Sequence, residues 1–429
     1  MISESHIHLV GIGGIGMSGV ARILAAHSKT VSGSDREESP ITEKLRTEDF
    51  HISIGEDAAH IPADAEVVIH TTAAKPAENL ELLAAAERGL RVLTYPEALG
   101  EITQDKKVIA VTGAHGKSTT TGLLIAAARA TGEDISCLVG TNVAELDGQN
   151  ARVGSSDWFI LEACEYKRAF LQLSPTVLIV TNIEAEHLDY YHDLADYQSA
   201  FVELAEKLPT DGALITSSAE ANLEPIIVVA PTLKDTKDAA AIELALPGEH
   251  NQRNAALALA AVGLMGLDIE KARQGMASYA GAWRRFEYKG ELHGAPVIDD
   301  YAHHPTEIRA TLQATRERYP DRRVLVVYQQ HQLDRASKML SELGASFGEA
   351  DVVLIPNIYA VRDEAGQTHI TGADIADEIK KNGTEAIFTD GFQNTIDWLK
   401  KEVTEQDVVL IMGAGDVWQI TPDLLRESS

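Results

Sequence analysis

The sequence predicts an α/β protein of three domains, each built around a mainly parallel sheet. Three observations carry that reading. Short apolar runs alternate with helix-like segments along the whole chain, the pattern of βαβ units. Two of those runs end in glycine-rich turns that open straight into helices, at Gly11–Gly16 and Gly113–Gly116. The chain has 429 residues, which at roughly 100–200 residues per domain makes three domains the central expectation. The blocks fall at 1–99, 100–287 and 288–429. The first and last read as Rossmann-like, the middle one as a P-loop nucleotide-binding domain.

In the first block, Ile7–Val10, Thr30–Ser32 and Val67–His70 read as buried strands, with helices at Met17–Ala26 and Leu80–Arg88. The polar stretch Gly100–Lys107 interrupts the pattern and reads as a linker. The second block has strands at Val108–Thr112, Trp158–Glu162 and Val177–Thr181, a long helix from Ser118 and an alanine-rich helix at Asn254–Leu264. The third opens near Tyr288. Its strands are Pro296–Asp299, Arg323–Tyr328, Asp351–Pro356, Glu385–Thr389 and Asp407–Met412, with helices at Thr306–Arg318 and Phe392–Lys401.

Composition excludes several classes. The formal net charge of −28 repels nucleic acid and anionic membranes. No apolar run approaches the length of a membrane-spanning helix, and the N-terminus lacks the charge and apolar regions of a secretory signal. The two cysteines, Cys137 and Cys164, form no CxxC pair. Two lone thiols fit a reducing cytoplasm, the expected location.

The first motif is Gly11-Ile-Gly13-Gly14-Ile15-Gly16, between a strand and a helix. Glycines there allow a tight turn and let the backbone approach a pyrophosphate at the helix N-terminus. Asp35 ends the next strand, where a carboxylate can bond a ribose hydroxyl. Taken alone, the motif suggests NAD. The second is Thr112-Gly113-Ala114-His115-Gly116-Lys117-Ser118-Thr119. Backbone N–H groups of such a loop cradle phosphates, Lys117 neutralises the transferring phosphate, and the Ser118 hydroxyl can ligate Mg²⁺. Six residues before Lys117 stands Val111, so the loop departs from the GxxxxGK[ST] spacing. Further on, Glu162-Ala-Cys-Glu165-Tyr166 and Thr181-Asn182-Ile-Glu184-Ala-Glu186-His187-Leu-Asp189 put acids and a histidine at strand ends, where such groups can complete a Mg²⁺ site. A histidine ligand is unusual for Mg²⁺, and a capping or substrate-bonding role for His187 stays open.

These motifs, together with GEHNQRNAALA at 248–258, RRFE at 284–287, DDYAHHP at 299–305 and GAGD at 413–416, occur in collinear order. The set resembles the Mur ligase family, closest to its branch that joins L-alanine to UDP-N-acetylmuramate. That resemblance implies an ATP- and Mg²⁺-dependent amide ligase of peptidoglycan synthesis working through an acyl phosphate. It implies that Gly11, Gly13, Gly14, Ile15, Gly16 and Asp35 hold the UDP-sugar, not NAD. Gly113, Ala114, His115, Gly116, Lys117, Ser118, Thr119, Asn254, Arg285 and Asp300 would bind ATP. Ser118 and Glu162 would hold one Mg²⁺ and His187 would approach a second, with Lys117, Glu162 and His187 the catalytic set. Tyr301, His303, His331 and Arg335 would line the amino-acid and carboxylate end. UDP-N-acetylmuramate and L-alanine are the implied substrates, and a monomer or homodimer the expected state.

Departures from the family pattern matter as well. Cys164 stands where the family often has Asp, Gln332 replaces one of two arginines, and Phe201 occupies the position of the lysine that sister ligases carbamylate for a second metal. A tripeptide-recycling Mur ligase is the alternative within the family. A P-loop phosphotransferase or a nicotinamide oxidoreductase would each leave one glycine loop unexplained.

Overall fold

The computed structural model describes residues 1–187, 189–217, 222, 232–234, 242–331, 333–359 and 370–426, with backbone alone at 232–234, 334 and 335. The described chain forms three α/β domains in two compact units. The first unit is Met1–Ala245 with Gln252–Ala280, and the second is Leu246–Asn251 with Gly281–Ser429.

The first domain carries strands β1 (His6–Val10), β2 (Thr30–Asp35), β3 (His51–Ile54), β4 (Val67–His70) and β5 (Arg91–Thr94) in the order β3-β2-β1-β4-β5, all parallel. Strand order reverses beside β1, and ligands bind such sheets at that switch point, outside the carboxyl ends of the strands. Helix α1 (Ile15–Ala26) starts there. The helices α2 (Pro40–Thr47), α3 (Leu80–Glu87) and α4 (Tyr95–Thr103) follow. Along β1, Ile7 and Leu9 join the main core, while Val10 joins a smaller cluster on the other face with Val68 and Leu82. His8, fully buried, spends both ring nitrogens inside the domain, on Ser32 Oγ at 2.8 Å and Glu81 Oε2 at 2.9 Å.

The stretch read as a linker is helical in its first half. Thr94 and Glu97 form a reciprocal capping box with Pro96 in the first turn, and α4 then runs through Gly100 to Thr103. The cap outweighs the polar composition that suggested a linker.

The second domain has strands β6 (Lys107–Thr112), β7 (Ser136–Val143), β8 (Gln149–Arg152), β9 (Trp158–Glu162), β10 (Val177–Val180), β11 (Ala213–Thr216) and β12 (Thr232–Lys234). Their order is β12-β11-β10-β6-β9-β7-β8, with only the β7–β8 pair antiparallel. Strand β6 lies between β9 and β10. The segments following these three strands are the phosphate-loop motif, Glu162–Tyr166 and Thr181–Asp189, so the topology brings together what the sequence separates. Helix α5 (Lys117–Ala130) leaves β6 through the glycine turn, and α6 is Leu194–Ala205.

The third domain has strands β13 (Glu287–Leu292), β14 (Ala295–Asp300), β15 (Arg323–Tyr328), β16 (Gln330–His331), β17 (Val352–Ile355), β18 (Ile358–Tyr359), β19 (Glu385–Phe388) and β20 (Asp407–Met412). Six of them make the sheet β13-β14-β20-β15-β17-β19, parallel apart from β13–β14, and β16 pairs with β18 separately. Neighbouring strands β14, β20 and β15 end in Asp299-Asp300, Met412-Gly413 and Tyr328-Gln329, which gathers the late motifs at one edge.

Candidate active site

The phosphate loop is held from below by the segment after β10. Asn182 accepts from the His115 N–H through Oδ1 at 2.9 Å and donates from Nδ2 to the His115 carbonyl at 2.9 Å. Thr181 Oγ1 donates to that same carbonyl at 2.6 Å. Two glycines are required on steric grounds. Gly113 has φ +130°, and a Cβ there would lie 2.2 Å from Thr181 Oγ1. Gly116, the N-cap of α5, has φ +81°, and its Cβ would lie 2.7 Å from Asn254 Oδ1. Asn254 is thus packed against the phosphate loop.

Lys117 folds back over its own loop. Nζ donates to the Gly113 carbonyl at 2.5 Å and the Ala114 carbonyl at 3.0 Å, and it pairs with Glu165 at 3.2 Å. Glu165 is fully buried, and its Oε1 also meets His187 Nε2 at 3.1 Å. Burial pushes the Glu165 carboxyl up, but Lys117 and His187 outweigh it and hold it below the usual glutamate value. Burial pushes the Lys117 ammonium down, and Glu165 foremost among its acidic neighbours raises it above the usual lysine value. Both directions describe a charged pair. His187 sits at φ +55° in a turn whose carbonyl accepts from Tyr190 and Tyr191, a backbone state that persists only when surroundings enforce it.

Ser118, next on α5, donates from Oγ to Glu162 Oε1 at 3.1 Å. The Gly140 N–H holds the other Glu162 oxygen at 2.8 Å, and a Cβ at Gly140 would fall 2.8 Å from the carboxylate. A hydroxyl and a carboxylate side by side at a helix start are hard oxygen donors of the type Mg²⁺ takes. These two residues fit the ion, whereas His187 has its Nε2 engaged with Glu165 and offers nitrogen.

The first glycine loop is built differently. The Ser34 carbonyl accepts from Gly11 and Ile12 N–H at 2.8 and 3.0 Å, and Asp35 Oδ2 accepts from Gly13 N–H at 2.8 Å. Asp35 therefore braces the turn. Gly14 caps α1 without any side-chain bond, which leaves a bare helix N-terminus. Gly16 lies against Tyr95, whose ring a Cβ would meet at 2.7 Å, and the Ile15 carbonyl accepts from Asn150 at 2.6 Å.

In the second unit, Arg284 is buried and donates to Asp299 at 2.9 Å and to the Gly413 and Gly415 carbonyls at 2.6 and 3.2 Å. Arg285 lies over the Tyr301 ring at 5.1 Å. Asp300, also buried, accepts from Phe286 and Ala302 N–H at 2.7 and 2.8 Å. His303 Nδ1 faces the Tyr301 carbonyl at 3.1 Å, and His304 caps the helix Pro305–Arg318 with Glu307. His331 stacks on Tyr359 with ring centroids 5.7 Å apart. Gln332 and the Arg335 side chain lie outside the described residues.

Comparison with known proteins gives this arrangement its context. Residues 6–107 match the description "Mur ligase family, catalytic domain", 111–231 "Mur ligase middle domain" and 284–415 "Mur ligase, glutamate ligase domain". The chain belongs to the Mur ligase family. It is 37% identical to a UDP-N-acetylmuramate–L-alanine ligase of Lachnospira eligens, covering 98% of both chains. A relative of the same name in Salinibacter ruber is 37% identical over 96% of this chain and 93% of its own. Among solved structures, a UDP-N-acetylmuramate–alanine ligase from Thermotoga maritima superposes with a TM-score of 0.82 at 26% identity, covering 98% of each chain. A murein peptide ligase from Psychrobacter arcticus gives 0.70 at 25%, again over 98% of each.

Within this Mur ligase, Phe201 is fully buried on α6 in a run of edge-to-face rings, Phe170–Phe201–Tyr197–Tyr191, with centroids 5.0–5.2 Å apart. Cys164 is exposed and takes no part in the hydrogen bonds described above. In the sequence, Glu165 and Asn182 belong to the acid-and-histidine cluster without individual roles, and Gly140 belongs to no motif. Glu165 carried a signal: it follows Glu162 by three residues past a strand end, where the chain turns and both carboxylates can face the same loop.

Proposed function

We propose that the chain uses ATP to join L-alanine to the carboxylate of UDP-N-acetylmuramate, the activity its full-length relatives are named for. One observation supports this best. A single compact unit holds two strand–glycine–helix cradles, and only one of them has a lysine and an acid–hydroxyl pair. A diphosphate that stays intact needs the first kind, and a phosphoryl group in transfer needs the second.

The division of labour follows from the residues. The bare start of α1 holds the UDP diphosphate and aims the sugar's carboxylate. Loop N–H groups hold the ATP phosphates, and Lys117 turns to the γ-phosphate. Ser118 and Glu162 would hold Mg²⁺, which would supply charge neutralisation on the phosphates. The carboxylate oxygen attacks the γ-phosphorus and ADP leaves. The alanine amine then attacks the acyl carbon, and phosphate leaves as the amide forms. The protein contributes position and charge compensation, without a covalent enzyme intermediate. Tyr301, His303, His331 and Arg335 are assigned to the amino-acid end by their family motifs, and Arg285 and Asp300 to ATP in the same way. We place the enzyme in the cytoplasm, a reducing compartment that its two free cysteines fit.

Phosphate release with UDP-N-acetylmuramate, ATP and Mg²⁺, against a panel of alanine, glycine and serine, tests this reading. Alanine should give the highest kcat/KM, and ¹⁸O in the sugar carboxylate should appear in the released phosphate. Phosphate release without amino acid, or ¹⁸O kept wholly in the sugar, would instead indicate a different phosphoryl transfer.

A further inference from the structure

We infer that Glu165 is a positioning residue that acts as the resting counter-ion of Lys117 and sets Lys117 and His187 about one carboxylate. The inference rests on the proposed reading that Lys117 serves the ATP phosphates.

Three observations support it. Glu165 Oε1 is shared, with Lys117 Nζ at 3.2 Å and His187 Nε2 at 3.1 Å. Its backbone is fixed as well, because the Tyr191 hydroxyl donates to the Glu165 carbonyl at 2.5 Å from within the buried aromatic run. All three protons of the Lys117 ammonium have acceptors: the Gly113 carbonyl, the Ala114 carbonyl and Glu165.

A lysine so satisfied cannot reach a phosphate without giving up an acceptor. Glu165 can be replaced by a phosphate at least electrostatic cost, since one anion substitutes for another beside the same cation. Removing the carboxylate leaves Lys117 an enclosed cation with two neutral acceptors, a state that costs energy until an anion arrives. Glu165 therefore opposes ATP binding while keeping Lys117 in place and aiming the His187 ring once Lys117 turns away.

This predicts a split that a structural role would not produce. In Glu165→Gln, a non-hydrolysable ATP analogue with Mg²⁺ should bind more tightly, by roughly three- to tenfold, while kcat falls by about tenfold or more. Affinity for the sugar nucleotide should stay unchanged. Glu165→Asp keeps the charge but cannot span both partners, so it should bind the analogue like the parent and still lose kcat. Calorimetric titration of analogue and sugar nucleotide separately, beside steady-state kinetics, reads all of these. Weaker analogue binding in Glu165→Gln, or unchanged kcat in both variants, overturns the inference. If the glutamine variant does not fold, Glu165→Asp decides: parallel loss of analogue and sugar-nucleotide affinity means a structural role. Analogue binding does not depend on the acceptor's identity, so failure of the alanine assay in the parent protein would overturn the proposed function and leave the binding arm of this test, which alone can overturn the inference, intact.

Discussion

The two glycine loops share one plan and differ in what surrounds it. Each follows a central parallel strand, starts its turn on a glycine with positive φ, Gly11 or Gly113, and opens a helix whose N-cap has no side-chain bond. Around Gly11–Gly16 the braces are a backbone carbonyl and Asp35, and no cation approaches the turn in the contacts described. Around Gly113–Gly116 there are Lys117, Ser118, Glu162 and Glu165. On the proposed function, glycine geometry makes a phosphate seat, while the charged side chains beside it decide whether the phosphate only sits or moves.

That contrast can be broken by mutation. Lys117→Ala carries the largest expected effect. Loss of a preorganised charge on a transferring phosphate lowers kcat by about 10²–10³, and calorimetry should find sugar-nucleotide affinity intact. If that affinity also collapses, the two loops do not divide the work. Gly116→Ala comes next. It imposes a side chain at φ +81° and a clash with Asn254, a strain of about 1–3 kcal/mol. Affinity for ATP should drop by roughly tenfold or more, with melting temperature reporting the strain directly. An alanine tolerated without loss would mean that the loop can slip away from Asn254.

Gly14→Val sharpens the other side. A Cβ there meets nothing closer than the Gly11 carbonyl at 3.4 Å, so the fold accepts it and only an incoming diphosphate is obstructed. KM for UDP-N-acetylmuramate should rise by about tenfold, equivalent to one lost charged hydrogen bond, with KM for ATP and melting temperature steady. Asp35→Ala has the smallest effect. Losing the brace on Gly13 should raise the sugar-nucleotide KM several-fold, in line with a net bond of roughly 1 kcal/mol. A far larger loss in that variant would mean that Asp35 touches the ligand itself.

Much of this was legible in the sequence because it rests on local rules. Buried parallel strands read as continuous apolar runs, and Val67–His70, Trp158–Glu162, Arg323–Tyr328 and Asp407–Met412 were recognisable with their observed limits. The β7–β8 pair was not, because Gln149–Arg152 is a polar edge strand whose partner, not its composition, makes it a strand. The run Gly100–Thr103 looked like a linker because the cap that makes it helical lies six residues upstream. Around the candidate site, motif spacing put Lys117 and Ser118 at the helix start after β6 and Glu162 at the end of β9. Glu165 escaped assignment since its partners, Lys117 and His187, are 48 and 22 residues away along the chain. Only the strand order brings them to one oxygen.

The seam between the first two domains has a further consequence. Gly19 on α1 lies so close to β7 that a Cβ would come within 2.2 Å of Leu138 Cδ1, and Arg22 and the Ile15 carbonyl both bond Asn150 on β8, at 2.9 and 2.6 Å. The start of α1 is thereby fastened to the sheet from which α5 departs. On the proposed function, these contacts set the gap between the diphosphate seat at the start of α1 and the γ-phosphate seat at the start of α5. Such a protein works as a gauge. Sugar nucleotides whose carboxylate stands one or two bonds nearer to, or farther from, the diphosphate should seat their UDP normally and still fail to react, because their oxygen stops short of the phosphorus or overshoots it.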